Sequence, residues 1–600
     1  MMKYHALTRE AKLSESEFTV KRGRDVDYLM ELKPENLLFS HYAEAGLNGL
    51  LNYTVTAHGG WDSPTSQIRG TFAGHWLSAA ARACQETGNM QLKAKADLLV
   101  SEIGRCQERN GNGWAFPIPE KYLYSLRDGK GFWASQYVCH KNMMGLLDMY
   151  LYAGNGEALE IVKKCADWFD RFSREIPRET MDDMMDLQET GGIMELWADL
   201  YAVTGDPKHL ELMRRYERPR LTEPVLRGED ILTNRHANTT IPEIHGCARA
   251  YEVTGEERYR RIVEQYWDLA VTQRGTFATG GQTCGEVWTP PQVQSTRLGN
   301  SNQEHCVVYN MIRLADYLFR WTGDAGYADY IEQNLHNGLL AQAFWQSGTR
   351  DTFCEPLARR ESSLPRLPEK IKTDLVLPLH QCRQTPTTGN LSLRWEDSSP
   401  YYIPSDLETV LGGQPVALRQ RAADVSGPFL KFGEEKLPLA QRPNFWSFRF
   451  EVRARGQEFT LRLRAPWWLK GAPVCLVNGQ KQEAAVENGW LCLRRRWQED
   501  TVELLLPKGL SCFPLADRPD TAAFLDGPVV LAGLTDRQRI LTGDPGRPET
   551  MLRLQDEREW ENWQDVYCTV NQEESIKFLP LKQIGKERYT VYFPIRGEKG

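Results

Sequence analysis

Residues 188–215, QETGGIMELWADLYAVTGDPKHLELMRR, carry in one line the pattern that decides the fold. A polar, glycine-containing cluster opens the stretch (Gln188-Glu189-Thr190-Gly191-Gly192). An amphipathic helix follows over 194–201. The phrase Thr204-Gly205-Asp206 then closes that helix and opens another. The glycine suits the left-handed residue that ends a helix, and the aspartate suits the cap that begins one. The phrase recurs as Thr87-Gly88-Asn89, Ala153-Gly154-Asn155, Thr254-Gly255-Glu256 and Thr322-Gly323-Asp324. Successive glycines stand 66, 51, 50 and 68 residues apart, room for a helical hairpin and a loop of variable length. A single hairpin cannot bury its apolar face, so such repeats stack. Five visible turns and a sixth hairpin without the phrase predict an (α/α)6 toroid, the mainly α part of the chain.

Working outward, the other helices are also preceded by polar clusters. Arg69-Gly70 and Gly74-His75 stand before a helix at 76–83. Tyr137, His140 and Lys141 stand before one at 143–150, and Arg235-His236-Ala237-Asn238-Thr239 before one at 241–251. Any one cluster is as readily a cap or a satisfied core histidine. Recurrence at the starts of alternate helices predicts a pocket lined by them at one end of the ring.

The stretch 280–311 reads GGQTCGEVWTPPQVQSTRLGNSNQEHCVVYNM. Gly285 and Pro290-Pro291 mark irregular backbone around Glu286. Glu304 and Cys306 stand two apart at the mouth of an apolar helical run. They can face one point only if the backbone there is not yet helical. Thiolate and carboxylate are both zinc ligands, and a helix N-terminus favours their ionised forms. Half a zinc site with Glu286 as a separate acid/base fits this spacing. A loop glutamate, an N-capping glutamate and a buried cysteine fit it too.

From about 400 the period changes to two. Phe448, Phe450 and Val452, then Phe459, Leu461 and Leu463, alternate with polar residues. Val474 and Leu476 lead into Asn478-Gly479, the signal of a tight hairpin. Leu491, Leu493, Val502, Leu504 and Leu506 continue the series. A later segment holds Phe524, Val529 to Leu531, Tyr589, Val591 and Phe593. The expected organisation is a barrel over 1–400, a β-sandwich over 401–512 and a second, smaller β-sandwich region over 513–600.

A chain of 600 residues is too long for one core and predicts roughly two to four domains. The net charge of −7 comes with no basic run able to hold a phosphate backbone, which argues against nucleic acid as partner. No apolar run reaches the ~18 residues of a membrane span. The first residues, MMKYHALTREAKLSESEF, lack the apolar centre of a secretory signal. The 13 cysteines are scattered and odd in number, as suits reduced thiols, so a cytoplasmic location is expected. Eighteen tryptophans and 23 tyrosines offer flat faces for sugar rings or for cores.

Taken together, these phrases resemble glycoside hydrolase family 127, the β-L-arabinofuranosidase family, and its relatives. The resemblance rests on RGTFAGHWLSA (69–79), YVCHKNMMGLLDMY (137–150), QETGGIMELWADLYAVTGD (188–206), NRHANTTIP (234–242), TGGQTCGE (279–286), EHCVVYNM (304–311), YADYIEQNLHNGLLA (327–341), YIPSDLE (402–408) and RAPWWLKGAPVCLVNG (464–479), in this order. It implies an (α/α)6 barrel followed by C-terminal β-sandwich domains. It implies a retaining exo-glycosidase that removes terminal β-L-arabinofuranosyl or similar residues from plant-derived oligosaccharides. Glu286 would be the acid/base, and Glu304 and Cys306 two zinc ligands. His140 and His236 would bond sugar hydroxyls, with His75, Arg235 and Tyr309 lining the same pocket. A cysteine nucleophile would come from a zinc-binding Cys-Cys pair, so that thiolate and carboxylate replace the usual two carboxylates. A homodimer is left open.

The chain departs from the family at that pair. No Cys-Cys occurs anywhere, and 343–400 lacks the resemblance that both flanks have. Cys382, or else Cys354, would have to serve as ligand and nucleophile, with weak zinc binding as the consequence if the chain is as written. A shifted reading frame would account for the gap. Residues 375–378, Leu-Val-Leu-Pro, can be encoded by CTG GTG CTG CCA, which one base later reads Trp-Cys-Cys. Two other readings are a catalytically impaired relative that binds sugar or serves structurally, and a metal-free sugar epimerase or uronide hydrolase on the same barrel.

Overall fold

The computed structural model describes residues 11–52, 55–59, 62–187, 189–298, 304–341, 405–411, 414–422, 444–483, 485–555, 566–584 and 587–597. Cys354, Cys382 and Gln188 lie outside them, as do 343–400.

The protein is an (α/α)6 barrel followed by β-sheet domains. Helices Thr71–Thr87, Ser135–Ala153, Ile193–Thr204, Ile241–Thr254 and His305–Thr322 pack each on the next as the inner ring. Most of their residues are buried, polar ones included, because one side meets the outer helices and the other meets the centre. Helices Met90–Asn110, Gly156–Ser173, Pro207–Arg215, Glu257–Trp267 and Ala325–Asn334 return outside them. Helix Glu17–Glu31 packs against the first inner and first outer helix. Among the described residues no helix is long and apolar enough to cross a membrane.

The repeated phrase closes the hairpins. Gly88, Gly154, Gly205, Gly255 and Gly323 all take the left-handed conformation at the ends of the inner helices. Asn89, Asn155, Asp206 and Asp324 each accept a backbone N–H of the next helix. Glu256 does not; its carboxylate meets Arg214 at 3.1 Å. The threonine has a part of its own. The Thr204 hydroxyl donates back to the Leu200 carbonyl and accepts the Asp206 N–H, and Thr87, Thr254 and Thr322 repeat this.

Two of the helices expected to begin after their polar clusters in fact contain them. One starts at Thr71 rather than 76 and the other at Ser135 rather than 143. Their first turns carry polar residues toward the centre of the ring, so the apolar period that marks a helix is missing there.

Among the described residues, two eight-stranded sheets follow. In the first, Asn444–Arg464 pairs along its length with Trp490–Lys508. Phe448, Phe450 and Val452 lie in its core with Leu491, Leu493, Val502, Leu504 and Leu506. Asn478 and Gly479 turn a two-residue hairpin with φ of 52° and 77°, which glycine and asparagine tolerate best. Strand Ala11–Leu13 joins this sheet beside Ser405–Leu411, so residues that precede the barrel helices are part of the β layer. The second sheet is built around Arg518–Asp526, Val529–Gly533 and Tyr592–Arg596.

Both sheets hold the barrel. Arg464, fully buried, pairs with Asp329 and Glu332 of the last outer helix, and the Trp468 indole donates to Glu332 at 2.7 Å. The second sheet grips the long loop. The Tyr592 hydroxyl accepts the Ala278 N–H at 2.7 Å, and the Asp517 carboxylate accepts the N–H groups of Gln294 and Ser295.

Candidate active site

The site is assembled at the end of the ring opposite the capping turns. Thr283–Cys284 and Val287–Trp288 form a short hairpin whose turn is Gly285-Glu286. Both residues have positive φ, 56° and 67°, and a glutamate held there is strained by about 1 kcal/mol or more. Segment 233–237 is zipped to this hairpin. Trp288 N–H donates to the Arg235 carbonyl at 3.0 Å, and Ala237 N–H to the Glu286 carbonyl at 2.9 Å. This zipper puts the His236 ring beside the Glu286 carboxylate, with Nε2 at 3.3 Å, while His236 Nδ1 faces Glu189 at 3.6 Å.

Glu304 is the residue before helix His305–Thr322, with extended φ and ψ of −90° and 144°. Its carboxylate does not cap that helix; it turns to Cys306 and Glu286 instead. The Cys306 sulfur lies 3.7 Å from Glu304 Oε2. The Asn238 amide joins them, donating to the sulfur at 2.9 Å and to the carboxylate at 3.3 Å, and is itself held by Asn310.

Proton affinities follow from burial and mutual charge. Burial and then the Glu286 charge push the Glu304 carboxyl up to about 7. The hydrogen bond with His236 holds Glu286 below the usual carboxylate range. Burial opposes the imidazolium of His236, but its bond with Glu286 and the charges of Glu189 and Glu304 raise its pKa. Burial raises Glu189, and burial with the Glu304 charge holds the Cys306 thiol well above its ordinary value. Of the two facing carboxyls, Glu304 therefore takes up a proton before Glu286 as pH falls.

The remaining sequence-derived residues divide. Burial keeps His140 neutral; its Nδ1 accepts the Gly192 N–H at 3.1 Å, which leaves the Nε2 proton free to donate. Gly191 is required for that approach, since a Cβ there would stand 2.5 Å from the ring nitrogen. His75 is buried behind Tyr137 and meets its hydroxyl at 3.2 Å. Tyr309 lies one helical turn beyond Cys306, under the Arg313 guanidinium. Arg235 is exposed and enters the site's frame through its backbone. Glu189 and Asn238 stood in the polar clusters without roles, and no local signal separates them from their neighbours.

A tetrahedral zinc site needs four donors. Glu304 and Cys306 fit two of them. Among the described residues no cluster of three His, Cys, Asp or Glu is placed to hold a metal.

The chain matches the model of the β-L-arabinofuranosidase GH127 catalytic domain over residues 10–373 and that of the GH127 middle domain over 430–508. The non-reducing end β-L-arabinofuranosidase of Bifidobacterium longum subsp. longum is 24% identical over 496 residues, spanning 73% of this chain and 70% of that protein. A solved GH127 β-arabinofuranosidase shares the fold with a TM-score of 0.70 at 19% identity, over 99% of this chain and 98% of the other. A GH127 β-L-arabinofuranosidase from Geobacillus stearothermophilus T6 does so with 0.65 at 18%, over 98% and 100%. Toroid, carboxylate-bearing end and these matches make the protein a glycoside hydrolase. The chain belongs to glycoside hydrolase family 127.

Proposed function

We propose that this hydrolase is a retaining exo-glycosidase acting on terminal β-L-arabinofuranosyl or similarly shaped residues of plant-derived oligosaccharides. The observation that carries the reading is Glu286, held at a strained hairpin tip, half exposed, with His236 on one side and the Glu304–Cys306 pair on the other. Strain of this kind persists where function needs the side chain aimed outward.

Glu286 is the acid/base. Facing carboxylates hold one proton between them. Were Glu304 to hold zinc it would be ionised, which would leave that proton to Glu286; Glu286 donates its proton to the leaving oxygen and later takes one from water. His140 donates from Nε2 to a sugar hydroxyl, and His236 bonds another while steadying Glu286. Glu304 and Cys306 are the residues that would hold zinc, and zinc when bound keeps thiols ionised near neutral pH. Cys382, the proposed nucleophile and further ligand, lies outside the described residues.

A second reading, a catalytically impaired sugar binder, is favoured by the lack of any Cys-Cys pair in the chain. Turnover of an aryl β-L-arabinofuranoside, stopped by a zinc chelator and restored by zinc, is the expected result. Bound arabinoside without turnover, and zinc far below one equivalent, would establish the impaired relative instead.

A further inference from the structure

The ring holds a cation that the reading above does not use. Lys141 is on inner helix Ser135–Ala153, one turn beyond Tyr137, and only 7% exposed. Its helix touches Thr71–Thr87 backbone to backbone. A Cβ on Gly74 would stand 2.1 Å from the Lys141 carbonyl oxygen, and one on Gly145 2.2 Å from that of Gly74. The root of the lysine is thereby fixed. Its Nζ lies 5.0 Å from the centre of the Tyr137 ring. The charges it feels come from other elements of the ring: Arg313, Glu195 and Glu189, with the Cys306 thiol also near. The ammonium is therefore inside the toroid, on the side of the candidate site.

Its surroundings do not neutralise it. Glu195 is taken by Arg313 and by the Tyr317 hydroxyl at 3.0 Å. Asp148 is taken by Ser78 and by Arg82 at 3.5 Å. Glu189 faces His236. Among the described residues Lys141 has no ion pair or hydrogen bond from its ammonium, only the aromatic face of Tyr137. Glu195 and Glu189 act on the buried ammonium only from a distance, so its desolvation cost is only partly offset. Burial, with Arg313 in the same sense, lowers it to about 8, so it remains mostly charged at neutral pH.

We infer that Lys141 meets a carboxylate of the substrate, so that the glycan entering this cavity is acidic and carries a uronosyl residue. The inference rests on the reading of the cavity as a sugar site. A sugar hydroxyl can accept a hydrogen bond from the ammonium but supplies no opposite charge; a carboxylate supplies both. The lysine would then decide which glycans bind, while Glu286 acts on whichever bond is presented.

Calorimetric titration of the full chain at pH 7 tests this without turnover. The probes are D-galacturonate and D-glucuronate against D-galactose and L-arabinose. The uronates should bind at least about tenfold tighter than the neutral sugars. Lys141→Met should bring that ratio close to one, and Lys141→Arg should keep most of it. Neutral sugars binding as well as uronates, or an undiminished preference in Lys141→Met, overturns the inference and leaves the sugar site standing. No binding of any probe overturns the sugar-site reading and the inference with it. If Lys141→Met fails to fold, as an unchanged thermal transition would exclude, Lys141→Gln takes its place with the same expected ratio.

Discussion

The two ends of the helical ring are built on opposite terms. At the capping end the turns, Glu256 apart, are satisfied by their own neighbours: Asp206 accepts from Lys208, and Thr204 answers Leu200 and Asp206. At the other end the partners are far apart in the chain. Asn238 reaches Cys306 across 68 residues, and Asp517 holds Ser295 across 222. That end also carries a glutamate at positive φ and carboxyls that burial pushes upward. Groups satisfied locally serve the fold. Groups held strained by distant partners cost stability and are kept for chemistry.

The largest expected effect tests that division at Glu286. Glu286→Gln should lower kcat/KM on an aryl β-L-arabinofuranoside by about 10²–10⁴-fold, the range for loss of a general acid/base. Its thermal midpoint should hold or fall slightly, since the charged bond with His236 is lost while the repulsion of Glu304 is relieved. Activity near that of the parent would mean that the strained hairpin is structural, and the contrast between the ends would collapse.

A second effect, on stability instead of rate, belongs to the barrel's junction with the first sheet. Arg464→Met should destabilise the chain by about 3–5 kcal/mol, because Glu332 and Asp329 are left buried without their cation. Burial already raises Glu332 to about 7. Below that pH it protonates, so the loss measured by chemical denaturation should shrink on acidification. A loss that does not change with pH would mean that Arg464 contributes by packing alone.

Zinc affinity gives the next test, at the active end. Glu304 must shed its proton to become a ligand, and that proton leaves near pH 7. Cys306 must shed one held more tightly still. Affinity should therefore climb as pH rises from 6 to 8, by about tenfold per unit for each proton displaced. The stability linkage has the opposite sign. A carboxyl raised from 4.5 to about 7 in the folded state contributes stability that is fully present below 4.5 and lost as pH rises through 7. Glu243 and Glu332 add in the same sense, whereas burial lowers His41, His209, His245 and His336, which add stability as pH rises toward 6.5. The metal-free thermal midpoint should therefore fall only above 6.5, as pH rises through the carboxyl range near 7.

How much of this was legible follows the same division. The turn phrase disclosed the hairpins because glycine at positive φ and an Asx cap are local requirements. Strand alternation and Asn478-Gly479 disclosed the sheets for the same reason. In the site, Glu286, Glu304, Cys306 and His236 do come together. Their neighbours Glu189 and Asn238 gained roles only from the fold. The starts of helices at Thr71 and Ser135 were hidden because His75, Tyr137, His140 and Lys141 replace apolar residues on a face turned inward. The hold of Tyr592 and Asp517 on the long loop has no local trace at all.

The smallest effect bears on the capping end. Asp206 caps its helix through the Lys208 N–H at 2.9 Å, whereas Glu256, at the same place in the next repeat, makes no such bond. One methylene explains the difference: the longer side chain carries its carboxylate past the first turn, to Arg214 on the neighbouring helix. Asp206→Ala should then cost about 1 kcal/mol. Glu256→Ala loses only an exposed ion pair and should stay within about 0.5 kcal/mol of the parent. Neither should alter kcat/KM, because both turns lie at the far end of the ring from Glu286. Equal losses in the two variants would show that the turn depends on its glycine and threonine and that the cap adds nothing. A change in kcat/KM in either variant would show that the two ends are coupled through the helices they share.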